Sequence, residues 1–234
     1  MPLFLKERDT DATEFMDDPE CDREELFNTY RQFGVVNALI SRWRTIYLRH
    51  IRPHCADPGQ TYTLLDIGFG GGDIPRRLAR WAAEDRIRLR VTGIETDPRA
   101  MEFVRRQQFP DSVRFRRASS TDLAEKGDTF DFVISNHLLH HLDREEFHGL
   151  LDEARRLSTR KVLFNDIERS DLGYLLFNLL ARPIFRSSFI THDGLTSIRR
   201  SYTRSELELR IPDNWRVERI FPYRLLLIYE HGSA

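Results

Sequence analysis

A glycine-rich loop flanked by two carboxylates is the part of this sequence best suited to ligand chemistry. Residues 64–75 read LLDIGFGGGDIP, which is an apolar strand, a run of glycines and the start of a helix. Glycines allow a sharp turn and let a ligand approach the backbone, and Asp73 followed by Pro75 is a typical helix start. A dinucleotide-binding loop needs its third glycine where this chain has Asp73, and Asp66 would repel a pyrophosphate. The pattern therefore favours a cationic ligand over a dinucleotide.

Together with three downstream segments, the loop resembles the class I S-adenosylmethionine-dependent methyltransferases, in which it is similar to motif I. The segment GIETDP resembles the end of the family's second strand, where an acidic residue binds both ribose hydroxyls, and Glu95 stands at that position. Residues 113–123 are similar to the third motif, although Ser119 replaces the Asp that usually contacts adenine. Residues 130–142 resemble the fourth motif and its Leu-His-His-Leu continuation. The resemblance covers roughly residues 60–165.

The resemblance implies that S-adenosylmethionine is the methyl donor, that S-adenosylhomocysteine is the product and that no metal takes part. The adenine contact would come from a hydroxyl of Ser119 or Ser120, or from Asp122, and Asp97 would cap the next helix if Glu95 binds the ribose. The residues implied to bind the cofactor are Asp66, Gly68, Gly70, Gly72, Glu95, Thr96, Ser119, Ser120 and Asn136.

Histidines cluster after the fourth predicted strand, where ligands bind in an open α/β sheet. The unperturbed pKa of a phenol is near 10, so a neighbouring histidine or carboxylate would help a phenolic oxygen to attack a methyl group. The candidate bases are His140, His141 and His192, with Asp166 as an orienting group or an alternative base. One of the paired histidines could equally well pack in the core, and a metal site would need a further converging ligand.

The order of the elements is similar to that of methylases of quinones, polyketides and phenolic lipids. This similarity implies a small, largely apolar acceptor, methylated on a phenol or quinol oxygen. Carbon or nitrogen methylation, a non-catalytic cofactor-binding protein and, with less support, an NAD(P)-dependent oxidoreductase remain alternatives. Residues 172–180 are apolar nearly all round, which is typical of a buried helix. We expect this helix to pack on the N-terminal helices and to form with them a lid whose inner face takes the apolar acceptor.

Short apolar runs that alternate with helical stretches predict the elements that position these groups. They indicate a Rossmann-like α/β fold with a seven-stranded, mostly parallel sheet and helices on both faces. We expect a flexible arm over residues 1–22, lid helices over 23–57 and a core over 58–234. A helical insertion at about 167–202 is expected to cover the site as a lid, because long connections in compact domains are often functional.

Composition limits the classes of partner and compartment. The 234 residues include 36 basic and 37 acidic side chains, and a net charge of -1 gives no global field for nucleic acid or anionic membrane, although a local patch escapes this test. Cys21 and Cys55 form no Cys-x-x-Cys pair, which fits a reducing cytoplasm. No apolar run reaches the roughly 20 residues of a membrane span. We therefore expect a cytoplasmic monomer or homodimer that acts on a small molecule.

Overall fold

Seven strands form one mixed sheet in the computed structural model, which describes residues 2–232. The strands are β1 (Thr61–Ile67), β2 (Arg88–Glu95), β3 (Val113–Arg117), β4 (Phe130–Asn136), β5 (Ser158–Ile167), β6 (Trp215–Ile220) and β7 (Arg224–Glu230). Their spatial order is β3-β2-β1-β4-β5-β7-β6, with β1 to β5 parallel and β7 antiparallel to both of its neighbours. The predicted Rossmann-like, mostly parallel sheet is confirmed.

Helices cover both faces of this sheet. They are α1 (Arg23–Ile40), α2 (Trp43–Ile46), α3 (Asp73–Glu84), α4 (Pro98–Arg105), α5 (Ser120–Glu125), α6 (Arg144–Leu157), α7 (Asp171–Ile184), α8 (Ile190–Arg200) and α9 (Arg204–Glu208). The central strands are apolar on both sides because helices bury both faces, and Leu64 and Leu65 of β1 are fully buried. No helix within residues 2–232 is long and apolar enough to cross a bilayer.

The first long helix contains a glycine, Gly34, at which a helix break would be expected, but the break lies seven residues further along the chain. Helix α1 continues through Gly34 to Ile40, and the chain then turns at Arg42, whose φ is 59°. A glycine inside a helix costs only about 1 kcal/mol relative to alanine, and the packing of neighbouring residues can offset that cost. Here Tyr30 and Val36, on either side of Gly34, are buried in separate apolar clusters.

The N-terminal arm lies along α8 and along the short 3₁₀ helix Leu139–His141. The backbone N–H of Asp9 donates to the carbonyl of Arg199 at 3.1 Å. The backbone N–H groups of Phe15 and Met16 donate to the carboxylate of Asp193 at 2.8 Å and 3.0 Å. The mobility expected for residues 1–22 stays a prediction, and in the structure the arm brings acidic side chains against the C-terminal ends of the strands.

The helical insertion after β5 consists of α7 and α8, which pack against α1. Val36 of α1 shares an apolar cluster with Ala181, Phe185 and Ile190 of the insertion. The two helical regions thereby form one wall over the C-terminal ends of β1, β2 and β4. This edge of a parallel sheet is where ligands bind in open α/β folds.

Candidate functional site

The glycine loop turns in backbone conformations that favour glycine. Gly68, Gly70 and Gly72 have φ values of +76°, +50° and +73°. A side chain at these positions would be strained, because L-residues rarely adopt the left-handed region. Gly68 and Gly70 face the cavity described below, so their backbone is open to a ligand. Gly72 instead lies at the start of α3, against the ring of Phe109.

A cavity of about 1220 Å³ lies between the strand ends and the wall of helices. Its strand side is polar and acidic, and its helix side, formed by α1 and α7, is apolar. The strand side is lined by Asp66, Gly68, Gly70, Asp73, Glu95, Thr96 and Asn136. The helix side is lined by Phe33, Val36, Phe177, Leu180, Ala181 and Ile184. The cavity can therefore hold a polar, cationic group and an apolar group side by side.

Asp66 is a buried acidic side chain that faces the cavity. Only 2% of the residue is exposed, and its Oδ1 accepts no hydrogen bond from any group within residues 2–232. Burial raises the pKa of Asp66 well above its usual range, and the nearby charges of Asp73 and Glu95 raise it further. Burial also raises the pKa of Asp73, although its carboxylate accepts hydrogen bonds from Asn37 at 3.1 Å and 3.2 Å. A bound cation would favour the ionised form of Asp66 and give its oxygen a partner.

Glu95 stands at the end of β2 with one oxygen held by the backbone. Its Oε1 accepts hydrogen bonds from the backbone N–H of Thr96 at 2.8 Å and of Asp97 at 3.3 Å. Burial raises the pKa of Glu95 in spite of these hydrogen bonds. Asp97 has a different task, because it caps α4 by accepting from the N–H of Arg99 at 2.7 Å and pairs with that guanidinium. Both carboxylates line the cavity, but that of Asp97 is already used by the cap and by the ion pair with Arg99.

Two predicted contacts, Ser119 and Ser120, do not reach the cavity. Ser119 caps α5 in a capping box with Asp122, whose backbone N–H donates to the Ser119 hydroxyl at 3.1 Å. The Ser120 hydroxyl donates to Glu153 at 2.6 Å. Ser-x-x-Asp at the start of a helix is the sequence signature of this cap, and the cap uses the hydrogen-bonding groups of both the Ser119 and the Asp122 side chains.

Asn136 ends β4 inside a polar network that ties the N-terminal helices to the sheet. Its Oδ1 accepts from the indole Nε1 of Trp43 and from Nδ2 of Asn165, both at 2.9 Å. Its Nδ2 lies 3.4 Å from Oδ1 of Asn37, whose own amide reaches Asp73. These contacts fix the strand end beside the glycine loop, and Trp43, Asn37 and Asn165 had no recognisable motif in the sequence.

His140 is buried between two carboxylates and does not line the cavity. Its Nδ1 lies 2.7 Å from Oδ1 of Asp166, and its backbone N–H donates to Oδ2 of Asp166 at 3.0 Å. Its Nε2 lies 3.4 Å from Oε1 of Glu14. Burial alone would lower the pKa of His140, but the charges of Asp166 and Glu14 raise it to about 9. The imidazolium in turn holds the pKa of Asp166 and that of Glu14 below their usual values, against the effect of burial.

His141 is the one predicted base that lines the cavity within the part of the chain that the structure describes. Its Nδ1 lies 3.3 Å from Oδ2 of Asp17, and its Nε2 lies 3.7 Å from Oε1 of Glu14. His192 lies outside the cavity, with its ring stacked on Phe15 at 3.6 Å and its Nδ1 2.9 Å from Oδ1 of Asp193. Of the four predicted catalytic residues, the structure therefore brings His141 alone to the ligand space, with His140 and Asp166 directly behind it.

His137 also lines the cavity, in a left-handed conformation with φ 62°. The Nη2 of Arg224 donates to its Nε2. Burial lowers the pKa of His137 well below its usual value, and the charge of Arg224 lowers it further. The neutral ring already uses its Nε2 lone pair for this hydrogen bond, so His137 fits a structural role better than that of a base.

The acidic groups of the arm are the site residues that the sequence did not reveal. Glu14 and Asp17 approach the histidines across more than a hundred residues of sequence, and no local pattern marks them. Ligand atoms of Glu14, His140 and His141 lie within 4.8 Å of one another, a spacing that a metal ion could also bridge. The same cluster is also explained as an ion-pair network without a metal ion, because a protonated His140 has a carboxylate at each of its ring nitrogens.

Known proteins match both the sequence and the fold. Residues 64–161 match the family described as "Methyltransferase domain". The ubiquinone biosynthesis O-methyltransferase of Cereibacter sphaeroides is 32% identical over 36% of this chain, and that of Mesorhizobium japonicum is 29% identical over 38%. The matched stretch spans 33% and 34% of those two relatives, about a third of their length.

Among solved structures, the fold is similar to that of the plantazolicin methyltransferase BpumL, which was solved in complex with SAH. The superposition has a TM-score of 0.63 and 12% sequence identity, and covers 92% of this chain and 91% of the other. At this identity the likeness concerns the fold alone. The resemblance predicted from the four sequence segments is confirmed by the family match, which includes the glycine loop, Glu95 and the histidine cluster.

Proposed function

We propose that this chain, which carries a class I S-adenosylmethionine-dependent methyltransferase domain, methylates an oxygen of a small, largely apolar phenol or quinol. The observation that carries the proposal is a cavity that combines a polar, acidic strand side with an apolar helix side. A phenol or quinol with an apolar body matches the helix side, and the relatives named for ubiquinone biosynthesis O-methylation support the same class of acceptor. The acceptor is proposed as a chemical class, and no single metabolite is named.

The strand side would hold the cofactor. Asp66 offers a buried carboxylate oxygen without a partner, which suits an ammonium group, and Glu95 offers a carboxylate that can accept from two ribose hydroxyls. Gly68 and Gly70 leave room for close approach. When bound, S-adenosylmethionine supplies an electrophilic methyl group on a sulfonium. A pyrophosphate is poorly suited to this acidic surface, which disfavours the NAD(P) alternative.

His141 is the proposed general base. It lines the cavity, and the 3.3 Å contact between its Nδ1 and Asp17 would orient the ring. Its Nε2 would accept the phenolic proton, and Glu14, 3.7 Å from Nε2, would stabilise the imidazolium that forms. His140 and Asp166 act as positioning residues, because the buried pair fixes the backbone that carries His141. Positioning of the acceptor oxygen and removal of its proton are the main tasks left to the protein in an in-line displacement.

The remaining properties follow from this proposal. We place the enzyme in the cytoplasm as a monomer or homodimer, with no nucleic-acid partner and no metal requirement. Carbon or nitrogen methylation would use the same cofactor side with a different acceptor, and a non-catalytic binding protein would keep the cofactor side without turnover. The experiment below separates these alternatives.

The test uses isotopically labelled S-adenosylmethionine with a panel of alkylphenols, quinols and amines, and mass spectrometry locates the label. We expect a labelled phenolic ether. His141→Ala should lower kcat by at least about a hundredfold, the usual contribution of a general base, with unchanged cofactor affinity by calorimetry. His192→Ala is the matched control and should retain most of the rate. Label on carbon or nitrogen, or equal losses in the two variants, would contradict the proposal, and binding without any labelled product would favour the non-catalytic alternative.

A further inference from the structure

The outer face of α7 carries an exposed apolar stripe. Leu172, Leu175 and Leu179 are 56%, 53% and 71% exposed, and their spacing of three and four residues places them on one side of the helix. Single exposed leucines are common on soluble proteins, but a continuous stripe marks an interaction surface. Ala181 is the one residue of α7 that is buried. The helix therefore presents much of its apolar surface outward.

This stripe is continuous with the mouth of the cavity. Leu176, Leu180 and Ile184 line the cavity and are still 42%, 56% and 57% exposed. Leu39, near the end of α1, also lines the cavity and is 62% exposed. An apolar ligand could thus pass from the surface of α7 into the cavity without crossing a polar boundary.

Arginines flank this face. Arg182 lies in α7, Arg186 follows the end of α7, and Arg42 follows the end of α1. Asp171, at the start of α7, is the one acidic residue of that helix. Arg42, Arg182 and Arg186 are exposed, and within residues 2–232 none of them forms an ion pair. These three arginines form a cationic region beside the exposed apolar stripe.

We propose that α7 and the adjoining end of α1 dock on the surface of a lipid bilayer that contains anionic lipids. The leucines would enter the boundary between headgroups and acyl chains, while the guanidinium groups would contact lipid phosphates. The helix would lie on the bilayer, since no helix of residues 2–232 could cross it. A second copy of the chain is a poorer occupant, because a two-fold interface would bring the two cationic regions together.

Docking in this orientation would open the cavity toward the lipid. An acceptor with an alkyl chain could then move from the bilayer to the apolar side of the cavity without exposure to water. This delivery step rests on the proposed function, whereas docking itself does not.

Vesicle flotation of the full chain tests the docking. We expect binding to vesicles of phosphatidylcholine mixed with phosphatidylglycerol, weaker binding at high salt and little binding to phosphatidylcholine alone. Leu175→Ser with Leu179→Ser should lower partitioning at least about tenfold, because both side chains would lose the apolar burial that they gain in the bilayer. Arg182→Ser with Arg186→Ser should lower it about 25-fold, at about fivefold per Arg.

Matched controls lie on other surfaces. Leu209→Ser removes a leucine that is 89% exposed beside α9, and Arg90→Ser with Arg114→Ser removes two exposed arginines from β2 and β3. Both controls should bind vesicles like the original chain. Failure of the original chain to float with anionic vesicles, or equal losses in variants and controls, would overturn the docking. Analytical ultracentrifugation provides a further check, since a dimer that the leucine variants dissociate would assign the stripe to a second copy.

Calorimetry with S-adenosylhomocysteine and labelling of a short-chain, water-soluble phenol separate this inference from the proposed function. Retained cofactor binding in every variant shows that each one is folded. Flotation without methyl transfer would leave docking intact and contradict the proposed function. Methyl transfer without flotation would do the reverse.

Discussion

Replacement of Asp66 by Asn tests whether this carboxyl group binds the cofactor or has only a structural role. The carboxyl group of Asp66 is buried, its Oδ1 has no hydrogen-bond partner within residues 2–232, and burial raises its pKa well above its usual range. If Asp66 receives the ammonium group of the cofactor, Asp66→Asn removes a charge-assisted hydrogen bond worth about 1.5–3 kcal/mol. The dissociation constant of S-adenosylhomocysteine should then rise by about tenfold to about 150-fold. Titration calorimetry measures this change without turnover.

The same substitution should stabilise the ligand-free protein near neutral pH. A carboxyl whose folded pKa is raised contributes stability at low pH, and that contribution is lost as the pH rises toward the folded pKa. Asparagine cannot ionise, so the melting temperature of the Asp66→Asn variant at neutral pH should exceed that of the original chain. Asp213→Asn, at an exposed position, is the control and should change neither quantity.

Proton linkage gives a third readout of the same idea. A cation beside Asp66 favours its ionised form, so binding should release a proton and affinity should rise with pH while Asp66 is protonated in the free protein. Calorimetry in buffers of different ionisation enthalpy counts this proton, which should be absent for Asp66→Asn. Unchanged affinity together with unchanged proton release would refute the role assigned to Asp66.

Two predictions concern the buried network behind His141. The pKa of His140 is about 9 in the folded protein and 6.5 ordinarily, so its ion pairs contribute about 3 kcal/mol to the free energy of unfolding. This contribution is fully present below about pH 6.5 and is lost as the pH rises through about 9. Urea unfolding between these pH values should show the loss, and His140→Gln should abolish this pH dependence. Glu14→Gln removes one partner of the buried imidazolium and should destabilise the fold by up to about 3–5 kcal/mol, with faster proteolysis of the arm. The control Glu7→Gln, at an exposed position, should behave like the original chain. An unchanged digestion rate for Glu14→Gln would contradict the network.

The ligand side of the cavity was predictable because its groups are close in sequence. Asp66, Gly68 and Gly70 belong to one turn, and Glu95 ends the next strand, so a contiguous motif encodes their positions. Ser119 shows the limit of the same reasoning. Its motif position suggests the ligand, but a capping box with Asp122 already uses its hydroxyl, and that competition appears only when both side chains are placed.

Tertiary contacts decided the rest. His140, His141 and His192 were equivalent as candidate bases in the sequence, and the paths of β5 and the arm make them different by burying His140 against Asp166 and stacking His192 on Phe15. The helical period of α7 was readable, but a helix that is apolar nearly all round does not reveal which face stays exposed. The structure shows that the stripe from Leu172 to Leu179 faces outward.

The N-terminal arm and helices α7 and α8 are connected by hydrogen bonds, and this gives the proposed base a link to the proposed docking surface. Asp193 in α8 accepts from the backbone N–H groups of Phe15 and Met16, and the next residue of the arm, Asp17, lies against His141. Asp171 at the start of α7 holds the beginning of the same arm through the backbone N–H of Leu5 at 3.0 Å. Helix α8 also reaches the histidine itself, because Nη2 of Arg200 donates to the carbonyl of His141 at 3.2 Å. If α7 and α8 move when their outer face meets lipid, the contact between Asp17 and the proposed base His141 changes with them.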